Sequence, residues 1–174
     1  MAAYTPQGDL IQLSWDDVME ICRDLAMTVS KEFDPDIVVG VARGGLIPAT
    51  IIASILRKDL YPVALSRRVR GVIVREKPDI LVPVSDEVDG RRVLIVDERS
   101  ETGETLRLAV RETQKKGAKK VKTAAIFARP GSWKPNYFGF ESEAVVIQPW
   151  DYELIVSGRF VVNPDYEEML YARS

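Results

Sequence analysis

Apolar residues recur at helical spacing after Ser14, and they predict the first long element of the chain. The apolar positions lie three or four residues apart, as on one face of an α-helix: Val18, Ile21, Cys22, Leu25, Val29 and Phe33. Ser14 followed three residues later by Asp17 is typical of a helix start closed by a capping box. The pattern therefore predicts a helix from about Trp15 to Phe33.

Four short apolar runs predict strands that are covered on both faces, because they do not alternate with polar residues. They are Ile37–Val41, Tyr61–Leu65, Val93–Val96 and Val121–Phe127. Helical patterns at Pro48–Leu56 and Thr105–Lys116 lie between strands, and Gly117 ends the second helix. This alternation predicts an α/β fold with a mostly parallel central sheet flanked by helices.

The remaining segments carry weaker signals. Two strand-like runs, Val72–Val74 and Ile80–Val84, lie in the segment 67–89, which we expect to form a hairpin or a flexible flap. We expect residues 1–13 and 131–174 to form a small lid or hood over a core of about residues 34–130, all within a single domain.

Composition narrows the class of protein. The 174 residues are 46% hydrophobic and 29% charged, with a formal net charge of -2, as in an ordinary globular domain. The weak acidity does not favour nucleic acid as a partner, and no segment is apolar for long enough to span a bilayer. The single cysteine, Cys22, indicates a reducing compartment such as the cytoplasm. The absence of histidine excludes histidine-based catalytic triads and histidine-rich metal sites.

The strongest functional signal follows the run Val93–Val96. Asp97 and Glu98 come next, and residues 102–105 read Thr-Gly-Glu-Thr before a predicted helix. Ligands of open α/β sheets bind beyond the carboxyl ends of the strands. Glycine, hydroxyl groups and helix-start amides suit phosphate, and carboxylates suit ribose hydroxyls or magnesium. The segment therefore predicts a site for a sugar phosphate.

This segment resembles the phosphoribosyl pyrophosphate signature of the type I phosphoribosyltransferases. The shared order is four apolar residues, two acids, two variable residues, a third acid and Thr-Gly-x-Thr. The resemblance implies that Asp97 and Glu98 hold the ribose hydroxyls together with Mg2+. It implies that a phosphate cradle binds the 5'-phosphate through Glu101, Thr102, Gly103, Glu104 and Thr105. In the 6-oxopurine branch of this family the third acid, here Glu101, is a proposed general base.

A second loop, from Val41 to Pro48, also follows a predicted strand and precedes a helix. Paired glycines expose backbone amides, and arginine adds donors suited to a diphosphate, although a Gly-Gly turn before a helix is common for structural reasons alone. The 6-oxopurine branch has a similar loop for the leaving pyrophosphate, often with a cis peptide. The resemblance implies that Ala42, Arg43, Gly44 and Gly45 bind pyrophosphate, with Ala42–Arg43 as the cis bond.

Two later segments, Phe127–Pro130 and Val145–Asp151, resemble the base-recognition end of the same branch. By position, Arg129 matches a lysine that contacts the exocyclic oxygen of a purine. Val145, followed by Val146, matches an aromatic residue that stacks on the base, and Asp151 matches an acid that binds a second metal ion. An equally open interpretation is that Val145–Ile147 is a core strand and that Trp150 packs the lid.

Several matched positions depart from the pattern of the branch, as at Arg99, Glu101, Arg129 and Val145. The leading prediction is an enzyme that transfers the 5-phosphoribosyl group from phosphoribosyl pyrophosphate to a purine-like nucleobase, with Mg2+ as cofactor and a homodimer or higher homo-oligomer as the implied assembly. The departures keep open a non-catalytic regulator that binds phosphoribosyl pyrophosphate or a nucleotide monophosphate. An RNA-binding regulator would need a basic face, for which the clustered candidates are Arg67, Arg68, Arg70, Arg91 and Arg92.

Overall fold

The structure is a computed structural model that describes residues 10–66, 68–69, 72–73 and 79–171. Its helices are α1 (Trp15–Glu32), α2 (Leu46–Leu56), α3 (Glu104–Lys115) and α4 (Pro164–Tyr171). Its strands are β1 (Leu10–Gln12), β2 (Ile37–Ala42), β3 (Asp59–Ser66), β4 (Arg68–Val69), β5 (Val72–Ile73), β6 (Asp79–Val82), β7 (Arg92–Ser100), β8 (Lys120–Ala128), β9 (Tyr137–Glu141), β10 (Val145–Ile147), β11 (Glu153–Val156) and β12 (Arg159–Val162).

A central sheet of six strands has the order β6-β3-β2-β7-β8-β9, and every pair in it is parallel except β3 with β6. Successive strand residues point to opposite faces. Val38 and Leu94 pack in one core cluster with residues of α1 and α2, whereas Val39 and Ile95 pack in another with Leu106 of α3. Helices therefore cover both faces of the sheet, and the predicted α/β class is confirmed.

The first helix begins where its capping signal predicts. The Ser14 hydroxyl accepts a hydrogen bond from the Asp17 backbone N–H at 3.1 Å, and the Asp17 carboxylate accepts one from the Ser14 N–H at 2.7 Å. This reciprocal pair satisfies two backbone donors that have no partner within the helix. No helix in the described part of the chain is long and apolar enough to cross a membrane.

The first and the last described elements of the chain meet beside the central sheet. Strands β1 and β10 pair in parallel, with Leu10 opposite Val145, and Tyr166 of α4 packs with Leu10 and Ile147. We call the segments around β1 and β10–β12, with α4, the hood. Two elements outside the expected core of about residues 34–130 also contact the central sheet: α1 packs against it and β9 forms its edge. Phe140 of β9 stacks on Phe127 of β8 at 5.7 Å.

The expected hairpin within residues 67–89 pairs differently from the prediction. Strand β5 pairs with β4, and β6 adds antiparallel to the open edge of β3. The backbone groups at that edge of β3 need partners, and β6 satisfies them. Residues 67, 70–71 and 74–78 lie outside the described residues.

Arg92 joins the starts of β2 and β7 at the amino-terminal edge of the sheet. Its backbone N–H donates to Asp36 Oδ2 at 2.8 Å, and its Nη2 donates to Asp36 Oδ1 at 3.0 Å. Its Nη1 donates to the Phe33 carbonyl at 3.2 Å. The hydrogen bonds from Arg92 lower the pKa of Asp36 to about 2. Arg92 therefore has a structural partner, which weakens its candidacy for a basic RNA-binding face.

Replacing Asp36 with Asn keeps the shape of the side chain and removes its charge. We expect a loss of about 1 kcal/mol in the free energy of unfolding at neutral pH, because both partners are partly exposed. The folded-state pKa of Asp36 is lowered, so its contribution is present above the ordinary pKa of 3.8 and is lost as the pH falls toward about 2. Urea unfolding of parent and variant across this pH range measures the effect.

Asp59→Asn is the matched control. Asp59 begins the neighbouring strand β3 and is exposed. Equal losses of stability in the two variants, or a loss for Asp36→Asn that does not shrink in acid, would contradict the assigned role of the Arg92 contact.

Candidate functional site

The carboxyl ends of β2 and β7 open into a cavity of about 320 Å³. Residues 41–44, Leu65 and residues 97–106 line it. The cavity therefore brings together the two loops that the sequence identified separately, at the edge of the sheet where α/β proteins bind their ligands.

The paired acids lie on a strand and not after one. β7 continues to Ser100 because β8 pairs with it beyond Val96, with Asp97 opposite Ala125 and Arg99 opposite Phe127. Pairing between β7 and β2 stops at Val96. The end of β7 is therefore held on one side and faces the cavity on the other, which gives the acids a rigid support.

Gly44 and Gly45 bring the first loop into contact with these acids. A Cβ atom on Gly45 would lie 2.7 Å from Asp97 Cα and 2.6 Å from the Val41 carbonyl oxygen. A Cβ atom on Gly44 would lie 1.7 Å from Glu98 Oε2. The loop can approach the strand this closely only because both residues lack a side chain. The Ala42–Arg43 peptide is cis, as the resemblance implied, and the Arg43 side chain is exposed.

Asp97 lies beneath this contact and is 9% exposed. Burial, together with the neighbouring Glu98 carboxylate, raises the pKa of Asp97 to about 7. The Glu98 backbone N–H donates a hydrogen bond to Asp97 Oδ1 at 2.8 Å, and this bond partly offsets the rise in the pKa of Asp97. A cation or a hydroxyl donor bound here would compensate the buried charge.

The Glu98 carboxylate contacts three parts of the molecule. The Trp150 indole Nε1 donates to Glu98 Oε2 at 3.0 Å, and Arg99 Nε lies 3.8 Å from Glu98 Oε1. The third contact is with Gly44, as described above. Glu98 thus connects the end of β7 to the first loop and to the hood.

The predicted phosphate cradle turns into α3 at Gly103. This glycine has a φ of +76°, and a Cβ atom on it would lie 2.7 Å from Trp133 Cβ and 3.1 Å from the Trp133 carbonyl oxygen. The Ser100 hydroxyl donates to that same carbonyl at 3.0 Å. The first turn of α3 follows with amides that have no partner within the helix, which is a favourable arrangement for an anion.

Comparison with known proteins identifies the family. The model of the phosphoribosyl transferase domain matches residues 12–155. The chain belongs to the phosphoribosyltransferase family. The xanthine-guanine phosphoribosyltransferase of Cereibacter sphaeroides is 30% identical over 166 residues, which cover 88% of this chain and 94% of that protein. The crystal structure of a purine phosphoribosyltransferase from Pyrococcus horikoshii superimposes with a TM-score of 0.75 and 35% identity, over 87% of this chain and 99% of that one.

The hypoxanthine-guanine phosphoribosyltransferase of Schizosaccharomyces pombe is 30% identical over 127 residues. The match covers 63% of this chain and 62% of that protein, so the chain spans less than two thirds of the length of this relative. The names of these relatives confirm the resemblance of this chain to the 6-oxopurine branch.

Arg129 lies outside the lining of the cavity and supports the segment that follows β9. Its Nη1 donates to the Ala144 carbonyl at 2.7 Å, to the Ser142 carbonyl at 3.4 Å and to the Glu143 carbonyl. Its Nη2 lies 3.9 Å from Glu101 Oε1, and Arg99 Nη1 lies at the same distance from that oxygen. Two guanidinium groups therefore flank the carboxylate of Glu101.

The other residues matched to base recognition belong to the hood. Val145 packs against the cluster that contains Leu10, and the Val146 side chain is buried in the main core. Asp151 Oδ2 accepts a hydrogen bond from the Tyr166 hydroxyl at 2.6 Å. None of Val145, Val146 and Asp151 lines the cavity. Val145–Ile147 is a strand, as the alternative interpretation expects, but it pairs with β1 in the hood and not with the central sheet. Trp150 packs on Trp15 of α1 at 5.8 Å.

Three aromatic contacts in and around the site were not predicted from the sequence. Trp150 donates to Glu98, Trp133 packs under Gly103, and Tyr166 holds Asp151. Each is an aromatic residue far along the chain from its partner. Their ring size signals burial, but a contact between distant segments leaves no periodic pattern in the sequence.

Gly103→Ala tests the packing of the cradle, and Gly131→Ala is its matched control. Both glycines have a positive φ, +76° and +72°, but a Cβ atom on Gly131 would have nothing within 4 Å. We expect Gly131→Ala to cost about 1 kcal/mol of unfolding free energy for its φ alone. Gly103→Ala should cost about 2 kcal/mol more, because the methyl group also meets Trp133.

Chemical denaturation of both variants measures these losses of stability. Calorimetry measures the affinity of each variant for a nucleoside 5'-monophosphate. Gly103→Ala should bind the nucleotide more weakly than Gly131→Ala does. Equal stability and equal affinity in the two variants would show that Trp133 does not shape the cradle.

Proposed function

We propose that this protein transfers the 5-phosphoribosyl group from phosphoribosyl pyrophosphate to a purine-like nucleobase and releases pyrophosphate. The observation that carries the proposal is one cavity lined by the loop from Ala42 to Gly45 (the Gly44 loop), the acids of β7 and the start of α3. These three parts suit the three groups of one substrate, a diphosphate, a ribose and a 5'-phosphate. Family membership and the names of the relatives support the same reaction.

The assignment of groups follows from the chemistry of the lining. Residues 101–105 offer hydroxyls and helix-start amides to the 5'-phosphate. Asp97 and Glu98 offer carboxylate oxygens to the two ribose hydroxyls. The loop from Ala42 to Gly45 offers backbone amides and the Arg43 guanidinium to the diphosphate. The substrate would then span the cavity from one loop to the other.

The reaction breaks the bond between ribose C1 and the diphosphate oxygen and forms a bond from C1 to a nitrogen of the base. Positive charge develops on the ribose, and negative charge develops on the leaving diphosphate. Arg43 and the loop amides would stabilise the leaving group, and the fixed position of the two loops would align base and ribose. Glu101 would accept the proton that the base loses.

Magnesium fits the donor set of β7. Asp97 and Glu98 present carboxylate oxygens, the ligands that Mg2+ prefers, and the ion would neutralise charge on the diphosphate. Within the described residues no group of three or more acidic, cysteine or histidine side chains surrounds a single point. An ion held by Asp97 and Glu98 would therefore take its remaining ligands from substrate and water, which is common for Mg2+.

The base would bind on the side of Glu101 and Arg129. Arg129 Nη2 points toward Glu101, where it can meet an oxygen of the base. Val146 could contact a base only through its backbone, because its side chain is in the core, and Val145 supplies a smaller apolar surface than an aromatic ring. Asp151 remains a proposed ligand of a second metal ion.

We also propose that the hood and the core form one domain. We propose that the protein is cytoplasmic and assembles as a homodimer or a higher homo-oligomer.

The decisive experiment is a pyrophosphate-release assay with hypoxanthine, guanine, xanthine, adenine and pyrimidines, applied to the parent and two Glu101 variants. We expect activity with at least one purine. Glu101→Gln should lower turnover by about a hundredfold, because an amide cannot accept the proton, while affinity for phosphoribosyl pyrophosphate stays nearly unchanged. Glu101→Asp should keep measurable turnover, because it retains a carboxylate.

A parent that binds phosphoribosyl pyrophosphate but is inactive with every base would overturn the enzymatic proposal. That outcome would identify a regulator that binds the same ligand. Full turnover by Glu101→Gln would instead remove Glu101 from the proton transfer and leave the reaction itself in place.

Arg43→Ala tests the diphosphate loop. We expect this variant to weaken binding of phosphoribosyl pyrophosphate by about ten- to a hundredfold and to leave a nucleoside 5'-monophosphate nearly unaffected, because only the first ligand carries a diphosphate. Arg111→Ala, on the exposed side of α3, is the matched control. Isothermal titration calorimetry with both ligands measures the difference, and equal losses for the two ligands would assign Arg43 a general structural role.

A further inference from the structure

The Glu98 carboxylate lies directly over the loop that the proposed function assigns to the diphosphate. A Cβ atom on Gly44 would lie 1.7 Å from Glu98 Oε2 and 2.8 Å from Oε1. The carboxylate therefore fills the space next to the Gly44 Cα atom. An anion already stands where the loop would receive the anionic end of its substrate.

Trp150 holds the carboxylate in that place. Its indole N–H donates to Glu98 Oε2 at 3.0 Å, the same oxygen that approaches Gly44. Arg99 lies farther away, at 3.8 Å from Oε1, so the indole makes the closer polar contact. A hydrogen bond to a charged acceptor is stronger than one between neutral groups, and it fixes the orientation of the carboxylate.

The turn that carries Trp150 includes a buried side-chain amide without hydrogen-bond partners in the described part of the chain. The Asp151 N–H donates to the Gln148 carbonyl at 3.0 Å and closes this turn at the end of β10. The Gln148 side chain is 3% exposed, and within the described residues neither its Oε1 nor its Nε2 has a hydrogen-bond partner. Buried amide groups normally have partners, so this conformation of the turn leaves hydrogen-bonding capacity unused. A rearranged turn could use it.

We propose that Trp150 is a positioning residue that holds the Glu98 carboxylate over Gly44 until a diphosphate binds to this loop. Diphosphate and carboxylate cannot share that space, because both are anions and the gap admits one of them. Binding of the diphosphate therefore breaks the Trp150–Glu98 hydrogen bond, frees Glu98 to turn toward the ribose hydroxyls, and loosens the turn of the hood. This inference rests on the proposed function, since it takes the Gly44 loop as the diphosphate site.

Trp150→Phe tests the inference because it keeps an aromatic ring and removes the N–H donor. We expect the variant to bind inorganic pyrophosphate about three- to tenfold more tightly than the parent at a fixed Mg2+ concentration, since the internal competitor is no longer held in place. A residue with a merely structural role would weaken binding when it is changed. Trp15→Phe is the matched control, because Trp15 packs on Trp150 and makes the same kind of ring contact. It should bind pyrophosphate like the parent.

Tryptophan fluorescence supplies a second measurement. Pyrophosphate should shift the emission of the parent and of Trp15→Phe, and Trp150→Phe should lose this shift. Gly44→Ala should produce the same shift without any ligand, because its methyl group displaces the carboxylate; this measurement decides the matter should Trp150→Phe fail to fold. Equal or weaker pyrophosphate binding by a folded Trp150→Phe, or an emission of Gly44→Ala like that of the parent, overturns the inference. A parent that does not bind pyrophosphate overturns the proposed function and this inference with it.

Discussion

The close approach of two backbone segments at Gly45 and Asp97 is the constraint on which the site depends. The β2–α2 loop can lie against the end of β7 only because Gly44 and Gly45 have no side chains. This contact buries Asp97, sets the Glu98 carboxylate over the loop, and forms one wall of the cavity. The acidic and the amide-rich halves of the site are thus two sides of a single packing contact.

Individual polar groups connect the hood to this contact, in addition to the apolar packing of Ile11 and Val146 in the main core. Trp150 reaches Glu98, and Tyr166 holds Asp151 one residue further along the same turn. Because β1 and α4 come from opposite ends of the chain, both ends are needed to place that turn. The chemistry of the sheet edge therefore depends on residues more than fifty positions away in sequence.

Local signals in the sequence were sufficient where the physics is local. The capping box at Ser14 and the continuous apolar runs of β2 and β7 predicted α1 and the buried strands, because capping and burial act on neighbouring residues. The extension of β7 through Asp97 to Ser100 was missed, since charged residues are poor strand formers and pairing with β8 overrides that tendency. β9 was missed for a related reason: it is short, has Gly139 at its centre, and is held by its position at the sheet edge. The two site loops could be found because they match family motifs of fixed spacing, whereas the hood contacts match no such motif.

The departures from the family pattern at Arg99, Glu101 and Arg129 are linked by direct contacts. A lysine at position 129 would have a single ammonium group, which could either satisfy backbone carbonyls or face the ligand. The guanidinium of Arg129 has donors on separate nitrogens, so Nη1 binds the carbonyls of residues 142–144 while Nη2 faces Glu101. Glu101 then lies between Arg129, whose Nη1 is bound to these carbonyls, and Arg99, whose side chain is 40% exposed. Because both guanidinium groups lie 3.9 Å from the Glu101 carboxylate, a substitution at any of the three positions changes the environment of the proposed base site.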